Sequence, residues 1–355
     1  MTKIPVAVLG ATGNIGQRFV GLLQDHPLFE IAALCSSERK MGGRLADFWR
    51  LEDAPLLDDV GSMDMRPIDP KGLAKDGVRA AFSALPSDVA ADLEADVARA
   101  GIAVFSNASA HRMDADVPLL VPEVNPDHVA LVERQTTYAD GGFLTTNPNC
   151  SITGLALALK PLVDAFDVGA VHVATYQALS GAGYPGVPSL DIVGNVVPFI
   201  ENEEEKMRRE AKKILGAWSK RTVVPSDVDV WASCVRVPVR EGHLEAVTIP
   251  LQEDVTADQV GKVFASFRGE PQRRKLPTAP KAPIVVRTER NRPQPLLDAN
   301  AGEPARARGM AATVGRIRVS DRLLRFFVLS HNTIRGGAGG SVLNAELSTR
   351  RGYLG

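Results

Sequence analysis

Apolar residues follow two different rhythms on either side of Cys150. Before it, short apolar runs alternate with stretches whose apolar positions recur at helical spacing. The runs are KIPVAVL at 3–9, Glu30–Leu34, Arg79–Ala84, Ile102–Phe105 and Phe143–Thr146, and they read as buried strands. Gln17–Asp25 and DVAADLEADVARAG at 88–101 read as intervening helices. This alternation predicts an α/β fold with a Rossmann-type doubly wound parallel sheet. After Cys150 an apolar helical pattern (Ile152, Leu155, Ala156, Leu159, Leu162) gives way to longer runs, Val171–Tyr176, Val228–Val239 and Leu244–Pro250, that alternate residue by residue. Alternation predicts a half-exposed, mostly antiparallel sheet in a second, α+β domain. EPQRRKLPTAPKAPIVV (270–286) reads as an extended connection, and Leu324–Ser330 as a last strand. The glycines of HNTIRGGAGGSVLNAELSTRRGYL then open a helix expected to return to the first domain.

Composition narrows the class. The chain has 355 residues, 45% hydrophobic and 23% charged, with a formal net charge of -1, enough for two soluble domains. Balanced charge gives no reason to expect a nucleic-acid or membrane partner. Cysteines at 35, 150 and 234 are odd in number and form no CxxC pair, so neither a disulfide framework nor a zinc or other metal site is expected. No apolar run is long enough to span a bilayer and no signal-peptide pattern opens the chain, which points to the cytoplasm.

The first strand runs into GATGNIG at 10–16 and then a helix, the context of a phosphate-binding loop. Gly10 allows the tight turn, Gly13 lets a pyrophosphate approach the backbone and Gly16 allows close helix packing. Thr12, Asn14 and Ile15 belong to the same candidate cofactor loop. The second strand ends in Cys35-Ser36-Ser37-Glu38-Arg39-Lys40, with no carboxylate at its tip to hold a ribose 2′-hydroxyl. Ser37, Arg39 and Lys40 could instead bind a 2′-phosphate, favouring NADP; Glu38 argues the other way. Arg112, in SNASAHRMDADVPLLVPEVN (106–125), follows a later strand and could hold an anion.

Asn147-Pro148-Asn149 breaks the strand before Cys150, placing the thiol at or beside a helix N-terminus, where amide groups and the dipole favour a thiolate. Ser151 and Asn149 can cap that helix. A cysteine nucleophile needs a proton partner, and His243 in VRVPVREGHLEA follows a glycine turn near Arg236. With a nicotinamide cofactor these groups suggest aldehyde or acyl-level redox chemistry through a thioester.

Taken together, GATGNIG, SNAS and HRMDADVPLLVPEVN, NPNCS, QALSGAGYPGVPSLDI, NEEEKM, RVPVREGH and HNTIRGGAGG resemble the ordered blocks of the aspartate-semialdehyde dehydrogenase family, in its archaeal and fungal branch. The resemblance covers nearly the whole chain. It implies an NADP-binding domain at 1–149 plus about 333–355, and a catalytic and dimerisation domain at 150–332. It also implies reductive dephosphorylation of L-aspartyl 4-phosphate by NADPH, in lysine, threonine and methionine biosynthesis, by a homodimer or homotetramer. Cys150 would be the nucleophile, His243 the acid/base, and Gln177 would position the substrate and thioester carbonyl. Arg236 would hold the α-carboxylate and Glu204 the α-ammonium group, leaving Glu203 and Glu205 as solvated charges. Lys206, Arg112 and Asn149 would hold the phosphate. Ser180, Gly181, Gly183 and Asn332 would line the nicotinamide side. Leu244 and Ile152 stand where the family commonly has threonine. Malonyl-CoA reductase, N-acetylglutamyl phosphate reductase and a silent cofactor-binding scaffold remain as alternatives.

Overall fold

The computed structural model describes residues 2–355. In chain order the strands are β1 (Ile4–Leu9), β2 (Phe29–Cys35), β3 (Met65–Arg66), β4 (Ala80–Ser83), β5 (Ala103–Ser106), β6 (Phe143–Thr146), β7 (Ala170–Gln177), β8 (Ala217–Ser219), β9 (Thr222–Val224), β10 (Asp229–Arg236), β11 (His243–Pro250), β12 (Ile284–Arg287), β13 (Ala312–Ser320) and β14 (Leu323–Ser330). The longer helices are α1 (Asn14–Leu23), α2 (Ser87–Arg99), α3 (Cys150–Ala165), α4 (Glu203–Ile214), α5 (Ala257–Ser266) and α6 (Gly339–Arg350). The chain forms two compact units. The first runs to Leu120 and adds Asp127–Asn147 and Gly337–Gly355; the second takes Val121–Pro126 and Pro148–Gly336. Among the described residues no helix is long and apolar enough to cross a membrane.

The first unit is a parallel sheet in the order β3-β2-β1-β4-β5-β6. Its strands read as unbroken apolar runs because both faces are buried. Val6, Val8, Phe82 and Phe105 pack into one core, Ala7, Leu9, Ala81 and Val104 into another. Strand order reverses between β1 and β4, the switch point where such sheets bind ligands, and GATGNIG follows β1 there. Helix α6 packs on α1 and β5, and its Glu346 accepts a buried 2.9 Å hydrogen bond from Nε2 of His26.

The second unit carries the sheet β10-β7-β11-β14-β13-β12, with β8 and β9 as a separate hairpin. The three inner pairings are antiparallel, but β7 with β10 and β12 with β13 are parallel, so the sheet is mixed. The cause is the long crossover from β7 to β10, which carries α4 and brings the chain back in the same direction. Residues 270–286 are not simply extended: they contain a short helix, Glu270–Arg273, and begin the edge strand β12. On the inner strands one face is buried, as alternation predicts: Val173, Thr175 and Gln177 on β7, His243, Glu245 and Val247 on β11. Helices α3 and α4 pack against this sheet.

Residues 121–126 are fixed in the second unit by a buried bidentate ion pair, Arg335 Nη1 and Nη2 to Glu123 Oε1 and Oε2 at 3.0 and 2.6 Å. Glu123→Ala would strand the Arg335 guanidinium, and removing one partner of a buried pair costs about 3–5 kcal/mol. A urea denaturation midpoint unchanged in Glu123→Ala would contradict that role.

Candidate active site

The turn after β6 decides where α3 begins. Pro148 cannot donate to a strand ladder, and Asn149 caps the helix with its side-chain oxygen, accepting from the N–H groups of Ser151 and Ile152 at 2.9 and 3.3 Å. Cys150 is therefore the first helical residue. The cap is held from α4: Asn149 Nδ2 donates to Glu203 Oε2 at 2.9 Å, the Asn149 backbone N–H to Glu210 Oε2 at 2.7 Å, and Ser151 Oγ to Glu203 Oε1 at 3.3 Å. Behind the thiol, a Cβ built on Gly336 would lie 2.8 Å from Cα, Cβ and O of Cys150, so only glycine permits this seat.

Opposite the thiol, three adjacent strands end in polar side chains. Arg236 of β10 pairs with Gln177 of β7, and Leu244 of β11 pairs with Tyr176, so Arg236, Gln177 and His243 form one row at the sheet edge. All three are buried. Cys150 Sγ lies 3.2 Å from His243 Nε2. Gly181 covers the row: a Cβ there would come 3.0 Å from Arg236 Nη1 and 3.2 Å from His243 Cε1.

The ring proton of His243 can be placed. Nδ1 accepts the Ala178 backbone N–H at 3.0 Å, so in the neutral ring the proton sits on Nε2 and faces the sulfur. Burial first, then the charges of Arg236 and His331, lower the His243 pKa to about 3. The thiolate thus meets a neutral N–H donor and a helix N-terminus, both favouring negative charge on sulfur. Arg236 spends Nη1 on the Ala178 carbonyl at 2.8 Å, keeping the rest of its guanidinium for a ligand.

One sequence expectation is corrected. Glu204 does not face this site: it is exposed, and its Oε1 accepts the Cys234 backbone N–H at 3.0 Å. The buried carboxylate beside Asn149 is Glu203, expected to be solvated. The reason is helical phase, since Met207, Ala211 and Ile214 define the buried stripe of α4 and Glu203 and Glu210, not Glu204, continue it. Sequence reasoning also missed Glu210 and Glu241. Asn149 is placed as expected for a cap, but with both ends of its side chain engaged by protein. Lys206 lies half-buried in the first turn of α4, without an ion-pair partner among the described residues.

Nearby, Asn332 Nδ2 donates to Ser180 Oγ at 2.7 Å, Ser180 Oγ donates to Glu241 Oε2 at 2.8 Å, and the Gly242 N–H donates to Asn332 Oδ1 at 2.8 Å. Gly183 sits at φ +72° with open space around it. This network ties the 180–183 loop to the turn before His243.

In the first unit, Gly10 takes φ +80°, and a Cβ on it would meet the Ala84 carbonyl at 2.9 Å. A Cβ on Gly16 would lie 2.1 Å from the Gly10 carbonyl, whereas one on Gly13 would enter nearly open space. No side chain caps α1, whose first residues are Asn14 and Ile15. A pyrophosphate fits such a cradle. Lys40 folds back, its Nζ donating to Thr12 Oγ1 at 2.9 Å, while Ser37 and Arg39 are exposed beside it. The tip of β2 offers Cys35, whose pKa burial pushes up to about 11 despite Arg66, and buried Ser36, but no carboxylate. Arg112 is buried in the loop after β5 and donates to the Asn107 carbonyl at 2.8 Å.

A dinucleotide cradle in one unit and a cysteine-histidine pair in the other define a thiol-dependent nicotinamide oxidoreductase. Residues 5–132 match the family profile described as semialdehyde dehydrogenase, NAD binding domain, and residues 159–335 that described as semialdehyde dehydrogenase, dimerisation domain. The chain belongs to the semialdehyde dehydrogenase family. It is 48% identical over 350 residues to an aspartate-semialdehyde dehydrogenase of Archaeoglobus fulgidus, covering 97% of this chain and 98% of that one. It is 39% identical to the malonyl CoA reductase (NADP) of Metallosphaera sedula, over 99% of this chain and 98% of that one. The crystal structure of aspartate semialdehyde dehydrogenase with NADP from Candida albicans superposes with a TM-score of 0.88 at 36% identity, over 99% of this chain and 100% of that one.

Gly336→Ala should push Cys150 off its seat; a displacement near 1 Å costs on the order of 100-fold in turnover. Wild-type kcat in folded Gly336→Ala would refute the contact. Stability should also respond to pH. The unfolded His243 ring takes a proton near the ordinary histidine value of 6.5 and the folded one only at about 3, so the unfolded state binds more protons between these values. Stability is then lost as pH falls through that window. The loss should be smaller in His243→Gln, as urea denaturation at pH 6.5 and 4.5 would measure.

Proposed function

We propose that the chain catalyses the NADPH-dependent reductive dephosphorylation of L-aspartyl 4-phosphate to L-aspartate 4-semialdehyde and phosphate, through a thioacyl group on Cys150. The observation that carries this reading is the 3.2 Å approach of Cys150 Sγ and His243 Nε2 beside buried Arg236, which feels the charges of Cys150 and of buried Glu203. Arg236 offers a planar fork for the α-carboxylate. Glu203, in place of Glu204, offers the charge for the α-ammonium group. Lys206 would neutralise the phosphate with Asn149 beside it, a task the family resemblance also gives to Arg112, and Gln177 would orient the acyl carbonyl.

In the reducing direction the Cys150 thiolate attacks the acyl carbon, a C–S bond forms and phosphate leaves. NADPH, when bound, supplies the hydride. Gly10, Thr12, Gly13, Asn14 and Ile15 would hold its pyrophosphate, with Ser37, Arg39 and Lys40 at the 2′-phosphate and Ser180, Gly181, Gly183 and Asn332 on the nicotinamide side. When the aldehyde departs, charge returns to Sγ, where the His243 Nε2 proton supports it. A malonyl thioester carries no amine, so the charge of Glu203 would meet no substrate ammonium group in a malonyl-CoA reductase; the higher identity to the aspartate enzyme weighs the same way.

The second unit leaves Trp231, Val196 and Phe199 exposed, with Tyr176 on the same sheet face as Trp231. A homodimer through this face fits the dimerisation profile. A tetramer would add a second interface, and the mass in solution distinguishes them. The proposed division is the first unit for NADP and the second for catalysis and dimerisation, in a cytoplasmic enzyme.

Purified protein should reduce NADP with aspartate semialdehyde only when phosphate is present, and Cys150→Ser should be inactive. Oxidation of NADPH with malonyl-CoA alone would reverse the choice of substrate. Arg39→Ala should raise KM for NADP and not for NAD; equal effects would remove Arg39 from the 2′-phosphate.

A further inference from the structure

Glu245 lies two residues along β11 from His243, on the same buried face. It is 2% exposed, and neither carboxyl oxygen has a hydrogen-bond partner among the described residues. Across the sheet it pairs with Thr175 of β7 and Val328 of β14, and Thr175 pairs in turn with Cys234 of β10. The row Cys234, Thr175, Glu245 therefore lies directly beneath the row Arg236, Gln177, His243.

The groups around it offer no counter-charge. From α4 the charge that bears on Glu245 is Glu203, of the same sign. From β10, Cys234 remains a thiol, its pKa pushed up to about 12 by burial and by Glu203, Glu204 and Glu245, despite a hydrogen bond with Thr175. The strands on either side present Thr175 and Val328, which carry no charge. On its own strand, His243 has Nδ1 on Ala178 and Nε2 on Cys150, so it has no ring nitrogen left for Glu245. Arg236 feels Cys150, Glu203 and Cys234. An ionised Glu245 would be a buried, unpaired charge within reach of the like charge of Glu203, and a carboxyl so placed keeps its proton.

We propose that Glu245 is a positioning residue that works as the neutral carboxylic acid beneath the site, so that Glu203 alone carries negative charge towards the substrate amine. Burial and the Glu203 charge both hold its proton on, well above the usual carboxylate range. Glu203, unlike Glu245, has donors: Asn149 Nδ2 and Ser151 Oγ both donate to its carboxylate. At alkaline pH, ionisation of Glu245 would add a second negative charge beneath the Cys150 thiolate and weaken the site. The amine-facing role of Glu203 rests on the substrate proposed above; the protonation of Glu245 does not.

The first test needs no substrate. An infrared difference spectrum of wild type minus Glu245→Gln at neutral pH should show the carbonyl band of a protonated carboxylic acid, shifted in D₂O. A carboxylate band in its place would overturn the proposal. The second test is kinetic, with aspartate semialdehyde. Glu245→Ala should lower kcat/KM, and the neutral isostere Glu245→Gln should restore it and move the alkaline limb of the pH profile upward. A folded Glu245→Gln enzyme as impaired as the alanine variant would mean that the ionised form is needed, and an unmoved alkaline limb would leave Glu245 with packing alone. If the protein does not turn over aspartate semialdehyde, the infrared result still decides the protonation state, and the rate of Cys150 alkylation against pH reports whether ionisation of Glu245 reaches the thiolate.

Discussion

The cap of one helix governs the site. Asn149 ends the strand-to-helix turn by accepting two backbone N–H groups, and that fixes Cys150 as the first residue of α3. One residue later in the helix, the side chain would point roughly 100° around the axis, away from the sheet edge. The cap itself needs restraint, because an asparagine side chain has free rotamers. Glu203 supplies it through Nδ2 and Glu210 through the backbone N–H. Gly336 closes the other side by leaving no room for Cys150 to retreat. The reactive sulfur is thus placed by carboxylates that hold amide groups, without touching the sulfur themselves.

This arrangement raises an electrostatic problem that the protein solves by distribution. Glu203, Glu210 and Glu245 are all buried in the unit that must stabilise a thiolate. Glu203 and Glu210 are each engaged by N–H donors. Glu245 has none among the described residues, and burial together with the Glu203 charge holds its proton on. His243 is held neutral by the same logic: an imidazolium would have to surrender the Ala178 hydrogen bond and sit buried near Arg236. The result is one cation, Arg236, in the row opposite the thiolate, with the neutral Nε2–H as the direct contact.

What could be read from the chain depended on how local the cause was. The parallel sheet and GATGNIG were legible because strand, glycine turn and helix are adjacent in sequence, and Cys150 at a helix start was legible because Asn-Pro-Asn breaks the preceding strand. The parallel pairing of β7 with β10 was not, since alternation reports burial of a face and says nothing about a strand's neighbour. β13 went unread because arginines 316 and 318 interleave with its apolar residues. Nor could spacing join Glu123 to Arg335, 212 residues away. The misplaced Glu204 is different: the signal was present. Extending the Met207, Ala211 and Ile214 stripe by one turn reaches Glu203, and a run of three glutamates hid which one the helix phase selects.

Helix phase also bears on which acyl group the family's common chemistry acts upon. The thiol, the imidazole and the dinucleotide cradle serve any acyl reduction through a thioester and do not discriminate between an acyl phosphate and a coenzyme A ester. Discrimination has to come from charges that match the rest of the substrate. Arg236 matches a carboxylate in either case, so it is neutral in this choice. Glu203 is not, because a buried carboxylate without an ammonium partner opposes an anionic acyl chain, whereas with one it forms a charge-assisted contact. On the proposed assignment, the carboxylate that holds the Asn149 cap would also favour an amino-bearing substrate, which couples the two roles.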